Sequence, residues 1–179
     1  MNKGTLYMIP CPIATDGDPA GSLPENTIAA IRRIGCFVVE DLRTGRRFLS
    51  RVGMGRPIDT LEMAELNEHT PSAEVEKLIA PLLAGKDVGM ISEAGCPGVA
   101  DPGAALAALC HRHGIRVKPL VGPSSILLAL MASGMNGQSF AFNGYLPVKP
   151  QERERAIRTF ERRARSEHQS QIFIEAPYR

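Results

Sequence analysis

The sequence predicts an α/β protein, with a parallel-sheet domain first and the start of a second, smaller α/β domain behind it. Three observations predict this. Short, near-continuous apolar runs recur along the chain, as in strands covered on both faces. Amphipathic segments with helix start and stop signals lie between them. Strand, helix and strand repeated in this way build a parallel sheet with crossover helices.

Taken in order, Leu6 to Ile9 is the first strand. Ser22 and Glu25 have capping-box spacing ahead of Ile28 and Ile31, which predicts a helix. Cys36 to Val39 is the second strand. Thr70 and Pro71 form an N-cap and first-turn pair; Val75, Leu78, Ile79, Leu82 and Leu83 then recur at helical spacing until Gly85 closes the helix. Pro81 stands inside that pattern and should kink it. Val88 to Ile91 is a further strand, Asp101-Pro102 opens a helix through Leu106 and Leu109, and Val117 to Val121 is another strand. A helix opened by Ser124 runs to about Gly134. Beyond it the texture changes. Phe140 to Pro147 reads as an edge strand or entry loop, Gln151 to Arg165 as a charged helix, and Ile172 to Ile174 as a strand. The expected organisation is an N-terminal α/β domain over residues 1–137 and the beginning of an incomplete second α/β domain over 138–179.

Composition narrows the class. With 179 residues, 44% of them hydrophobic, the chain can bury a sizeable core. The formal charge is only +2. No stretch approaches the roughly 18 apolar residues of a membrane span, and the amino terminus runs into its first strand without a signal-peptide pattern, so a cytoplasmic protein is expected. Cys11, Cys36, Cys96 and Cys110 are widely spaced, which favours reduced thiols over a zinc site or disulfide framework, and no metal is expected.

Glycine, proline and small residues gather where strands should end. "SEAGCPGVADPG" (92–103) follows one strand, "PCPIATDGDP" follows the first, "EDLRTG" follows the second, and "VGPSS" precedes the last helix of the first domain. Ligands of open parallel sheets bind at such carboxyl ends, and glycine lets main-chain groups approach a ligand that a Cβ would exclude. Ordinary tight turns are the plainer reading of the same composition. Neither a G-x-G-x-x-G nor a phosphate-loop G-x-x-x-x-G-K-[ST] motif occurs.

The segment "SEAGCPGVADPG" resembles S-D-A-G-T-P-G-I-S-D-P-G of the tetrapyrrole (corrin/porphyrin) methylase family, in its branch that methylates ribose 2′-hydroxyls of small-subunit ribosomal RNA. Further segments are similar in the same order: "LYMIPCPIA" to L-Y-[IV]-V-x-T-P-I-G, "VVEDLRTGRRFL" to A-x-E-D-T-R-x-T-x-x-L-L, and "LVGPSSILLALMASG" to L-P-G-P-S-A-x-x-x-A-L-x-x-S-G. "FAFNGYLPVK" and "FIEAPYR" match F-x-F-x-G-F-L-P-x-K and F-Y-E-S-P-H-R, so the likeness spans 6–179. Three departures fall on the substrate side. Ala14 to Asp18 replaces G-N-L-x-D, Leu42 stands where the family has threonine, and Thr60 to His69 is only loosely similar to S-Y-H-E-H-N. The family continues for a further half-domain.

The resemblance implies S-adenosylmethionine as cofactor, held by Pro10, by Ser92, Glu93, Ala94 and Gly95 with Val99 and Ala100, by Gly122, Pro123, Ser124 and Ser125, and by Glu175 and Ala176. It also implies RNA as substrate and a homodimer. Methyl transfer from a sulfonium needs alignment and neither metal nor covalent nucleophile. A hydroxyl acceptor gains from a positioned base, for which Glu40 and Asp41 are candidates; alternatively the pair orients Arg43 and caps the next helix. Arg43 and Lys149 are the substrate-binding candidates. Arg43, Arg46 and Arg47 suit phosphate or another acidic group, or simply a solvated helix turn. The helix "QERERAIRTFERRAR" mixes arginine with glutamate and suits either an RNA-facing surface or an exposed, ion-paired helix. Two other functional readings are a methyltransferase for a tetrapyrrole or other small molecule and a non-catalytic nucleotide-binding module.

Overall fold

A computed structural model describes residues 2–14 and 16–175. The chain divides into two compact units, one up to Ser124 and one from Ser125. The first is built on β1 (Thr5–Ile9), β2 (Cys36–Val39), β3 (Glu62–Glu65), β4 (Val88–Ile91) and β5 (Arg116–Pro119), all parallel, in the order β3-β2-β4-β1-β5. Strand β4 lies between β1 and β2, and Ile91 pairs with Ile9 on one side and Val39 on the other. These three strands therefore finish in one row.

Their side chains alternate between two cores, as pleated strands require. Phe37, Val39, Ile9 and Ile91 join Ile31 of α2 (Glu25–Arg33) and Leu49 of α3 (Leu42–Val52) on one face. Val38, Leu6, Val88 and Met90 join Leu82 and Leu106 on the other. Leu82 belongs to a short helix and Leu106 to α6 (Ala104–Arg112), so helices cover both faces of the central strands, as the apolar runs predict. The outer strands differ. Glu62 and Glu65 of β3, and Arg116, Lys118 and Pro119 of β5, are exposed, which blunts both sheet edges against pairing with another chain.

Tertiary structure overrides several local signals. Pro81 does more than kink its helix, which splits into α4 (Ser72–Lys77) and α5 (Ala80–Leu83). Ser22 forms no capping box. It closes α1 (Pro19–Ser22), and Pro24 occupies the N-cap of α2 without a side-chain cap. Thr70 does not cap α4 either; its hydroxyl accepts from the Asn67 amide at 3.0 Å, closing the turn before the helix, and Pro71 takes the cap position. Asp101 and Pro102 lie in the loop ahead of α6 (Ala104–Arg112), which starts after Gly103.

The second unit contains α7 (Ser125–Ser133), β6 (Phe140–Tyr145), α8 (Pro150–Glu167) and β7 (Ser170–Ile174). β6 and β7 pair in parallel with a register shift between Phe142 and Tyr145. The buried Ser170 hydroxyl donates to the Asn136 carbonyl at 2.8 Å, and the Phe160 and Phe173 rings stack with centroids 6.4 Å apart, seating α8 on β7. Ion pairs lace the exposed side of α8, Arg158 to Glu154 at 2.7 Å and Arg165 to Glu161 at 2.6 Å, both one turn apart. Among the described residues no helix is long and apolar enough to cross a membrane.

Helix α3 approaches β2 very closely at Gly45, where an added Cβ would lie 2.7 Å from Val39 Cγ1. Gly45→Ala is expected to lose about 1–2 kcal/mol net, because overpacking against a stiff valine outweighs the roughly 0.5–1 kcal/mol that alanine gains in a helix. Denaturant titration checks this as a lowered midpoint at unchanged slope.

Candidate functional site

Because β1, β4 and β2 end in one row, Pro10, Ser92 and Glu40 leave the sheet side by side. The loops they open are stitched together by main chain. Cys11 and Gly95 form an antiparallel bridge, with the Cys11 amide donating to the Gly95 carbonyl at 2.8 Å and the Gly95 amide to the Cys11 carbonyl at 3.2 Å. The Glu40 amide donates to the Ile91 carbonyl at 3.1 Å, and its carboxylate accepts from the Glu93 amide at 3.1 Å. The loop after β5 joins from the other side. Cys96 Sγ donates to the Pro123 carbonyl at 3.4 Å, and Gly122 packs so tightly on the Pro10 ring that a Cβ would fall 2.2 Å from its Cγ.

Two features of the 92–103 loop set it apart from an ordinary turn. Gly95 has φ +65°, and an added Cβ would meet no protein atom within 4 Å, so this stretch of main chain faces open space. Ala100 is held at φ +61°, a conformation that costs a residue with a Cβ about 1 kcal/mol or more and persists only where its surroundings enforce it. The first unit thus brings together Pro10, Ser92, Glu93, Ala94, Gly95, Val99, Ala100, Gly122, Pro123 and Ser124 on adjoining loops. Ser125 opens α7, Lys149 is the N-cap of α8 and pairs with Glu152 at 3.1 Å, and Glu175 follows β7, all in the second unit. Ala176 lies outside the described residues.

The two carboxylates after β2 have different environments. Asp41 is the N-cap of α3, its Oδ1 accepting from the Thr44 amide at 2.8 Å. That bond, with smaller help from the Thr44 hydroxyl and from Arg43, holds its carboxyl below the ordinary carboxylate range. Glu40 faces the 92–103 loop. Burial pushes its carboxyl up, the Glu93 amide opposes this, and Asp101, Glu93 and Glu68 push it further up. Asp101, which the sequence reading treats only as a helix opener, is raised by burial and by Glu93, with a hydrogen bond from the buried Ser92 pulling the other way. Its signal was the Ser92 to Asp101 pairing across a glycine-rich loop, which spacing alone does not reveal. Burial, with Asp101 and Cys96 nearby, pushes the Cys11 thiol up to about 12, so it stays protonated.

A cavity of about 210 Å³ opens beside these loops. One wall is the loop after β1 with Cys11, Pro12, Ala14 and Gly17; the opposite wall is α3 with Thr44, Gly45, Arg47, Phe48 and Arg51; Ile91, Ser92 and Glu93 form the floor. Arg43, the substrate candidate of that helix, is exposed in its first turn. Among the described residues no group of His, Cys, Asp and Glu is arranged to hold a metal ion.

A doubly covered parallel sheet whose strand ends converge on a main-chain-lined site defines an α/β ligand-binding class. The family model for Tetrapyrrole (Corrin/Porphyrin) Methylases matches residues 17–176, and the chain belongs to that family. Ribosomal RNA small subunit methyltransferase I of Xylella fastidiosa is 32% identical over 176 residues, covering 98% of this chain and 60% of that protein. The protein of that name from Mesorhizobium japonicum is 41% identical over 144 residues, covering 80% of this chain and 46% of its own length. Uroporphyrin-III-C-methyltransferase from Thermus thermophilus has the same fold, with TM-score 0.54 and 22% identity over 80% of this chain and 64% of that one. The chain spans about three-fifths of the length of the first of these relatives.

The cap at Asp41 has a pH signature. Its carboxyl titrates lower in the folded protein, so the stability it contributes is present above the ordinary carboxylate range and lost as pH falls through the depressed value. Asp41→Asn, which keeps a capping acceptor, is expected to fold with near wild-type stability at neutral pH but to flatten this acid dependence. Asp41→Ala is expected to lose stability at neutral pH. Thermal melts across pH check both.

Proposed function

We propose that the chain is an S-adenosylmethionine-dependent methyltransferase acting on a ribose 2′-hydroxyl of small-subunit ribosomal RNA. The observation that carries this reading is the similarity to proteins named ribosomal RNA small subunit methyltransferase I, which runs through 98% of the chain and hence through all the loops at the strand ends. A cytoplasmic location and a homodimer follow from the same resemblance and belong to the proposal.

The site's chemistry suits the cofactor. Gly95 leaves open space where a side chain would stand, and Gly122 pulls the last loop onto Pro10, so a ligand can lie directly against the main chain of these loops. Pro10, Ser92, Glu93, Ala94, Gly95, Val99, Ala100, Gly122, Pro123 and Ser124 are the proposed cofactor residues of the first unit, with Ser125, Glu175 and Ala176 from the second. When bound, S-adenosylmethionine supplies an electrophilic methyl group on a sulfonium. The chain's own task is to orient the acceptor and receive its proton. Glu40 is the better base of the two carboxylates. Its raised affinity for a proton suits it to accept one, whereas Asp41 is engaged at the helix cap. Arg43 and Lys149 are proposed as substrate contacts.

Labelled methyl transfer to small-subunit RNA or particles tests the reading directly: transfer to ribose is expected, and a folded, cofactor-binding protein that labels no RNA overturns it. Gly95→Val is expected to keep the fold, at a cost of about 1–2 kcal/mol for a Cβ in the left-handed region, while losing cofactor binding by calorimetry. Wild-type affinity in that variant removes the loop from the site. Glu40→Gln retains an oxygen for the Glu93 amide, so fold and cofactor affinity should survive while turnover drops about 10²-fold. Wild-type turnover is expected to rise as pH passes through the raised value of Glu40, since only the ionised carboxylate accepts the proton, and the variant should lose that rise.

A further inference from the structure

We infer that the cavity between α3 and the loop after β1 is the acceptor-nucleotide subsite, in which Arg47, with Arg51 one turn further along, holds the phosphodiester beside the ribose to be methylated. This rests on the functional reading above and adds to it the place and chemistry of acceptor binding.

Four observations carry it. The cavity shares Ser92 and Glu93 with the 92–103 loop, so a ligand inside it adjoins the proposed cofactor residues, as a methyl acceptor must. Charge within it is divided between two ends of the lining. Arg47 and Arg51 stand on α3 at i and i+4, the spacing that puts two side chains on one helix face, while Glu93 lines the β4 end; Glu40, outside the lining, adjoins that end through the bond its carboxylate accepts from the Glu93 amide. A ribose with its phosphate has the complementary pattern, a hydroxyl to offer a carboxylate and an anion to offer a guanidinium. Arg47 is also exposed and forms no ion pair among the described residues, in contrast with Arg158 and Arg165 of α8, which are neutralised by glutamates one turn away. Finally, size is compatible with the acceptor: about 210 Å³ gives room for a sugar-phosphate.

The close approach of α3 to β2 at Gly45 fixes this wall. Gly45 itself lines the cavity, and the Asp41 cap sets the start of the helix, so Arg47 is carried on an element held at both points. A guanidinium fork on such an element recognises a phosphate by geometry, which an ammonium on a flexible stem does not reproduce.

The test measures equilibrium binding of a short single-stranded RNA to the whole chain, and to its Arg47→Ala and Arg47→Lys variants, over a range of salt concentrations, with cofactor affinity and thermal melts as controls. Arg47→Ala should weaken RNA binding about tenfold and reduce the salt slope by about 0.7, the value of one single-strand phosphate contact. Arg47→Lys should keep the slope but not the full affinity, and cofactor affinity should be unchanged in both. Equal RNA affinity and slope in wild type and Arg47→Ala, or no RNA binding by the wild type, overturns the inference. So does displacement of the RNA by a tetrapyrrole that binds in an Arg47-dependent way. Methyl transfer separates the two proposals: transfer that proceeds with Arg47-independent RNA binding removes the subsite alone, whereas Arg47-dependent binding without transfer upholds the subsite and removes the methyltransferase reading.

Discussion

The insertion of β4 between β1 and β2 is the constraint on which the site of the first unit depends, because it makes Ile9, Ile91 and Val39 end in a single row. Three loops then have nowhere to go but against one another. Their backbone polar groups must find partners there, and they find them in each other: Cys11 with Gly95, Glu40 with Ile91 and with Glu93. A parallel sheet buried on both faces cannot offer its flanks to a ligand, so its carboxyl edge is the available place, and small residues keep that edge from being filled by side chains.

Electrostatics divides the same edge. Glu40 and Asp101 are pushed up by burial and by neighbouring carboxylates, whereas Asp41, the residue after Glu40, is pulled down by the start of α3. Two adjacent carboxylates thus serve separate purposes through surroundings alone. One ties the helix start and the other ties β2 to the 92–103 loop while holding its proton more tightly. Arginines on α3 provide the opposite charge along the cavity wall.

Much of the fold was legible because the central strands are buried on both faces and read as unbroken apolar runs. β3 was not, since Glu62 and Glu65 are exposed at a sheet edge and only Met63 and Ala64 lie between them. Thr70 and Ser22 carried capping chemistry in the sequence, but a turn at Asn67 used the first and the preceding short helix absorbed the second. Around the strand ends, the glycine-rich loops were legible, as was the helix-cap reading of the Glu40 and Asp41 pair, which the hydrogen bonds place on Asp41. The α3 cavity and the role of Asp101 were not legible. The cavity joins three segments distant in the sequence, and Asp101 depends on how the 92–103 loop folds back onto Ser92 and Glu93; local spacing carries no trace of either.

The central claim is that S-adenosylmethionine is held by main chain at the carboxyl ends of β1, β4 and β5. Amide hydrogen exchange with and without the cofactor measures this residue by residue. The account predicts slowed exchange concentrated in 92–103 and 120–124, with Ala94 and Gly122 among the protected amides, and little change along α6. Binding that leaves these loops exchanging as before, or protection confined to other segments, would contradict it.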